Sequence, residues 1–274
     1  MILLSAFSNA FPSSILIILG VCALLCAVGF YKFVYFLSVG YGFAISGAGI
    51  IMLIMYFDKL NIVSIILCAL LIIYGIRLSG FLLYRELKSS SYRKTLKTAT
   101  NEEKKMPLFV KATIWVSVTI LYVMQVSPVF YRFVNGSEET LLGLMGCGIM
   151  IIALIIESVA DLQKSQAKKV NPKRFCDKGL YNIVRCPNYF GEILFWTGVL
   201  VSGVTSLNGY MQWIIAILGY ILIFYVMVSG AKRLEIRQNK NYGSDEEYKA
   251  YVNKTPILFP FIPIYHLENV KFIK

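Results

Sequence analysis

Charge is what this sequence lacks most. Only 15% of its 274 residues are charged while 57% are hydrophobic, and the mean hydropathy is +0.66, a balance that excludes an ordinary soluble globule. Cations avoid the first third, where Lys32, Lys59 and Arg77 are the only ones before Arg85. Acids are scarcer still, 15 against 27 Lys and Arg, which leaves a net charge of +12. The six cysteines form neither a CxxC pair nor a disulfide ladder, and four of them fall inside apolar runs, so they read as reduced thiols. The single histidine, His266, reads as surface rather than catalyst. No internal repeat is visible. The glycine patterns Gly47-Ala48-Gly49 and Gly143 to Gly148 follow no strand and are not dinucleotide fingerprints.

Long apolar runs are what the sequence does have. A bilayer core of roughly 30 Å needs about 20 apolar helical residues, and seven runs approach that length: Pro12 to Phe30, Phe33 to Phe57, Ile62 to Tyr84, Leu108 to Phe130, Leu141 to Ala160, Tyr189 to Ser206 and Met211 to Ser229. The fold class expected is all-α, one polytopic membrane domain over 1–274 with seven transmembrane helices and short cytoplasmic helices and loops. Asp58 to Asn61, Asn135 to Ser137 and Leu207 to Gly209 are short polar turns. The other connections are basic. One carries Arg85, Lys88, Arg93, Lys94, Lys97, Lys104 and Lys105, a second carries Lys164 to Arg185, and the tail carries Lys232, Arg233, Arg237 and Lys240. All fall on one side of seven spans, so the positive-inside rule puts the C-terminus in the cytoplasm and the N-terminus outside. No basic region precedes the first run and another span follows it closely, so it reads as a retained helix rather than a leader. Ser38, Gly42 and Ser46, four residues apart, predict a close helix contact.

Ionisable groups at membrane depth cost several kcal/mol unless paired or solvated, which makes them functional candidates. Glu157, Asp161 and Lys164 share one face of the fifth span, as a polar site or as a solvated helix end. In Arg185-Cys186-Pro187-Asn188-Tyr189-Phe190-Gly191-Glu192, Pro187 opens a helix whose N-terminal N–H groups favour an anion, with Arg185 beside it. Asn188 and Glu192 share a face. Asn188 suits a carboxamide such as nicotinamide, and Glu192 belongs to that site or pairs with Lys164 or Arg233. Beyond the seventh span, Ser244 with Glu247 predicts a capped cytosolic helix presenting Tyr248 and Tyr251 on one side. The Pro260 to Pro263 stretch returns apolar residues toward the bilayer. Tyr74 and Arg77, one turn apart in the third span, are either a proton donor with a cation that eases its ionisation or an interfacial aromatic with a snorkelling arginine.

In this order, these segments resemble the bacterial membrane proteins related to the C-terminal domain of steroid 5α-reductase. The matching elements are Glu157-x-x-x-Asp161-x-Gln163-Lys164, Gly179-Leu180-Tyr181, Arg185 to Glu192 with Trp196, and Lys232-Arg233-Leu234-Glu235 followed by Tyr248, Tyr251 and the proline-rich end. The resemblance covers residues 72 to 263 and is strongest from Glu157 onward. It implies a membrane reductase that takes NADPH from the cytoplasm among its last three spans, within 135–274, and reduces a carbon–carbon double bond conjugated to a ketone. The apolar lipid or steroid-like substrate would enter from the bilayer on the side of the first four spans, within 1–134. Glu157, Asp161, Lys164, Arg185, Asn188, Tyr189, Glu192, Arg233 and Glu235 would bind or support the cofactor, and Tyr74 with Arg77 would polarise the ketone. No metal is implied. The chain departs from the family where Cys186 replaces a histidine, where no glutamate lies between Phe33 and Phe57, and where Ser89-Ser90-Ser91-Tyr92 replaces an acid and an arginine before the tyrosine. Two other readings remain: an isoprenylcysteine-type methyltransferase using S-adenosylmethionine, which shares the Arg-x-Pro-x-Tyr helix start, and a small-solute transporter.

Overall fold

The computed structural model describes residues 10–88, 93, 106–138 and 141–271. Lys94, Lys97, Lys104, Lys105 and the segment Ser89 to Tyr92 lie outside the described residues. Among those described the chain is helical, without strands. Its α-helices are α1 Ser14–Cys26, α2 Val39–Met55, α3 Ile62–Lys88, α4 Leu108–Val134, α5 Leu141–Val170, α6 Leu180–Ile183, α7 Pro187–Gly203, α8 Gly209–Tyr242 and α9 Glu246–Lys254. Four of them, α3, α4, α5 and α8, are long and apolar enough to cross a bilayer. The other three apolar segments, Ser14–Phe30, Val39–Met55 and α7, stop at 17 residues, about 26 Å of helix against a core of roughly 30 Å. The second run is shorter than its hydropathy suggests because its first turns, Phe33–Leu37, are a 3-10 helix that sends Lys32 and Tyr35 to Glu86.

The chain divides into two compact units, Met1–Cys147 with Val199–Tyr220, and Gly148–Gly198 with Ile221–Lys274. In the first, α2 crosses α3 backbone to backbone. A Cβ added at Gly75 would lie 2.1 Å from the Gly42 carbonyl oxygen, and one at Gly42 would lie 2.6 Å from the Gly75 oxygen, so only glycine fits either position. Hydroxyls seal the crossing: Ser46 Oγ donates to the Ile72 carbonyl at 3.0 Å and Ser79 Oγ to Val39 at 2.8 Å. The four-residue spacing in α2 is therefore a packing device. Pro128 interrupts α4 and deprives the Met124 carbonyl of its N–H partner. Ser127 Oγ replaces that donor at 2.8 Å.

Both ends of this unit are tied by side chains. Tyr131 Oη donates to Ala10 O at 2.7 Å, Tyr56 Oη to Ser14 Oγ at 2.8 Å, Asn61 Nδ2 to Ser137 O at 3.1 Å, and Asn135 Nδ2 to Ser206 O at 2.7 Å. Arg132, fully buried, gives Nη1 to Ser202 O at 2.8 Å and Nη2 to Glu138 O at 3.0 Å. The full length of α3 away from Asn61, Lys32 and Tyr35 meet Glu86. Turns 56–61, 135–138 and 206–209 thus share one end and turn 31–38 the other, as helices running alternately up and down require.

In the second unit, two glycines bring three helices together. A Cβ on Gly191 of α7 would lie 2.5 Å from Cγ of Glu157 on α5, and one on Gly230 of α8 would lie 3.3 Å from the Tyr189 ring. Helix α9 starts one residue later than the Ser244 signature predicts. Asp245 is the cap, and its carboxylate accepts from the N–H groups of Glu247 and Tyr248, which frees Ser244 from that task. Tyr248 and Tyr251 do share a side, and both pack on Phe175, with ring centroids 5.2 and 5.3 Å away. Residues 255–271 then form a strap without regular secondary structure.

Candidate functional site

The strap closes the start of α7. Pro187 has no N–H to offer, and the two N–H groups before it are taken: Arg185 N donates to Pro256 O at 2.9 Å and Cys186 N to Ile257 O at 3.0 Å. The guanidinium of Arg185 turns inward. Its Nη2 donates to Glu235 Oε1 at 2.9 Å and also to the Tyr265 carbonyl. Both charged side chains are shut off from solvent, at 1% and 0% exposure. Glu235 Oε2 accepts from the N–H groups of Leu267 at 2.7 Å and Glu268 at 3.0 Å, and His266 Nδ1 lies 3.0 Å from Oε1. A carboxylate buried among these partners is a structural pin, since burial makes each charged partner indispensable to the other. The sequence assigns Arg185 to an incoming anion; in the structure its Nη2 is taken by Glu235 and the Tyr265 carbonyl, while its Nε and Nη1 are buried without a hydrogen-bond partner.

The other candidates group around Tyr181 and Tyr189. Asp161 lies within electrostatic reach of Tyr181, Lys164 of Cys176 and Cys186, and Arg233, Arg237 and Glu192 of Tyr189. Glu157, 2% exposed, packs on Gly191, and Glu192 is 8% exposed. Arg233 and Arg237 are exposed, and Asp161 and Lys164 are half-buried. Asn188 is half-buried, and its Oδ1 is buried with no hydrogen-bond donor. An amide oxygen in that state is set to accept from a ligand. A hollow of about 390 Å³ opens nearby, between the end of α5 and the loop to Gly179, bounded by Gln163, Gln166, Phe175 and Cys176. None of the nine cofactor candidates lines it, so Asp161, Asn188 and Arg233 share no wall of this cavity.

The phenols and thiols here are neutral. Burial pushes the Cys186 thiol up to about 12 and Tyr248 up to about 12, and it raises Tyr181, Tyr251 and Cys176 as well. Tyr251 Oη donates to the Tyr181 carbonyl at 2.6 Å, and Gln163 Oε1 accepts from Leu180 N at 2.9 Å. The second contact explains Gly179, whose φ of 65° and crowding by the Gln163 side chain exclude any residue with a Cβ.

In the first unit Tyr74 is fully buried on α3, and its hydroxyl donates to that of Tyr41 on α2 at 3.0 Å. The Tyr41 ring in turn lies 4.9 Å from that of Tyr122. Arg77, one turn on, is half-buried. Tyr41 is the partner the sequence left unassigned; the glycine crossing beside it, Gly42 on Gly75, is the signal that pairs the two tyrosines. Glu86 was also missed, because it follows Arg85 and looks like a solvated helix end. His266 is exposed, as the sequence suggests, though its Nδ1 lies 3.0 Å from Glu235 Oε1. Among the described residues no group of acids, cysteines and histidine is placed to hold a metal ion.

Comparison with curated proteins and with solved structures returns no match. Residues 28–255 match the family described as "Protein of unknown function (DUF1295)", and the chain, covered over most of its length, belongs to that family.

Proposed function

We propose that the chain is a seven-span membrane enzyme, its C-terminus in the cytoplasm, that uses NADPH to reduce a carbon–carbon double bond conjugated to a ketone in an apolar lipid or steroid-like substrate. What carries this reading is Asn188, whose buried acceptor lacks a donor, and the next residue, Tyr189, has the exposed cations Arg233 and Arg237 within electrostatic reach. The motif resemblance from Glu157 to Tyr251 supports it. The residues fit the cofactor in kind: Asn188 would take the carboxamide, Arg233 and Lys164 the phosphates, and Asp161 a hydroxyl, while Glu157 and Glu192 support the α5–α7 contact. Arg185 and Glu235 hold the strap that fixes the start of α7. Tyr74, with Tyr41 as its hydrogen-bond partner and Arg77 as companion, would donate to the ketone oxygen as negative charge develops there. NADPH, when bound, would supply hydride to the β-carbon, and a proton taken from solvent by the α-carbon would complete the reduction and return the enolate oxygen to the ketone.

One observation favours a second reading. Because Glu235 neutralises Arg185, less positive charge faces a cofactor than the sequence promises, and S-adenosylmethionine carries no phosphate. The methyltransferase reading is therefore the rival to test. The protein purified in detergent is titrated with NADPH and with S-adenosylmethionine, and NADPH absorbance is followed against a panel of apolar enones. Tight NADPH binding with oxidation by at least one enone is the expected result. Binding of S-adenosylmethionine alone would replace the reductase with the methyltransferase.

A further inference from the structure

Phe261 has 97% of its surface open, the most of any large apolar side chain among the described residues, and it holds φ at 64°. That left-handed backbone is one that residues with a Cβ rarely adopt. It sits at the tip of Phe259-Pro260-Phe261-Ile262-Pro263-Ile264, where Ile262 and Ile264 are also exposed. The base of this loop is fixed in depth. Phe259 stacks on Phe224 of α8, with ring centroids 5.9 Å apart and planes at 17°, and meets Phe190 of α7 edge-on at 6.3 Å. Phe224 precedes Lys232, the first cation at that end of α8, by eight residues, or about 12 Å along the helix toward its apolar middle. Around it Ile221, Leu222 and Tyr225 are exposed apolar residues, the face that lipid covers on a spanning helix.

Few donors in the loop stand free: Pro260 and Pro263 have no N–H, Ile262 N donates to Phe259 O at 3.4 Å, Ile264 N to Ile262 O at 2.7 Å, and Ile257 N to Ile264 O at 2.9 Å. Arg237 stands exposed on the polar side of Lys232, where anionic headgroups would meet it.

We propose that residues 259–264 form a wedge seated at the headgroup–acyl boundary of the leaflet at the basic end of α8, so that the strap closing α7 is anchored in lipid through the side chains of Phe261 and Ile262. The test uses full-length protein carrying Cys176→Ser, since Cys176 is the one described cysteine that is not buried. A nitroxide is attached at Phe261→Cys, at Ile262→Cys or, as a control, at Val170→Cys, whose side chain is 88% exposed at the polar end of α5. In phosphatidylcholine vesicles containing phosphatidylglycerol, the labels at 261 and 262 are expected to collide several-fold more with dissolved oxygen and several-fold less with a water-soluble nickel chelate than the label at 170. Nickel accessibility equal to that at 170 would place the loop in water and overturn the proposal. Shielding from both reagents would overturn it too, in favour of a second copy of the chain or another protein. Both substituted side chains are exposed, and agreement between the two sites guards against a local defect at either.

Discussion

Replacing Glu235 by glutamine keeps the shape of the side chain and removes its charge, in a place where four donors converge. The oxygen that becomes an NH2 group meets either the N–H groups of Leu267 and Glu268, now at 2.7 and 3.0 Å, or the guanidinium of Arg185, now at 2.9 Å. In both orientations donor faces donor, and a buried cation loses its counter-charge. Breaking one partner of a buried ion pair costs about 3–5 kcal/mol, which at about 1.4 kcal/mol per factor of ten opens the strap between roughly a hundredfold and several thousandfold more often. Hydrogen exchange of peptides spanning residues 255–271, measured in detergent, reads that opening directly and does not require the protein to unfold. The double variant Arg185→Met with Glu235→Leu removes both charges together and is expected to recover part of the protection, because no charge is left orphaned. A loss of protection under about tenfold in Glu235→Gln, the range of an exposed pair, would refute the account of a sealed pin.

Asn188→Ala is expected to abolish NADPH retention with an unchanged thermal midpoint; retention equal to wild type in a binding titration would contradict the role given to this amide. Tyr74→Phe removes one buried hydroxyl and its bond to Tyr41, so NADPH binding should persist while enone turnover is lost by about 10²–10⁴-fold, the usual contribution of a positioned proton donor. Gly75→Ala drives a methyl group against the Gly42 carbonyl and should cost about 1–3 kcal/mol by thermal unfolding, whereas Gly80→Ala, with nothing within 4 Å, should be neutral or slightly stabilising. The Cys186 thiol, pushed up to about 12 by burial, resists iodoacetamide at pH 8 in the folded protein while the half-buried Cys176 reacts. Its raised value also sets a sign. The unfolded chain ionises this thiol first, so its contribution to stability is complete below the ordinary thiol range and declines as pH rises from there toward about 12.

Patterns of hydropathy and charge made the helical class, the apolar segments and the polar turns legible, because each is a local property of the chain. The Gly42–Ser46 spacing was legible as packing for the same reason. Local pattern failed where a distant residue decides. The Phe33–Leu37 turns leave the α-helical path where Lys32 and Tyr35 meet Glu86, more than fifty residues away, and no local spacing announces that contact. Arg185 looks available for a phosphate in its own segment, and only folding brings Glu235 and the strap upon it. The grouping of Glu157 with Gly191 follows from motif order, yet the cavity beside Gln163 has no counterpart in any spacing, since it depends on how the loop after Val170 turns back on α5.

The sealing of Glu235 by Leu267 and Glu268 has a consequence for biosynthesis. Those amides lie 32 and 33 residues downstream, so at ribosomal rates of about 5–20 residues per second the carboxylate leaves synthesis roughly 2–7 s before its last ligands exist. The pin at the start of α7 therefore closes only once residue 268 has been added, which makes it a late contact of the folding chain.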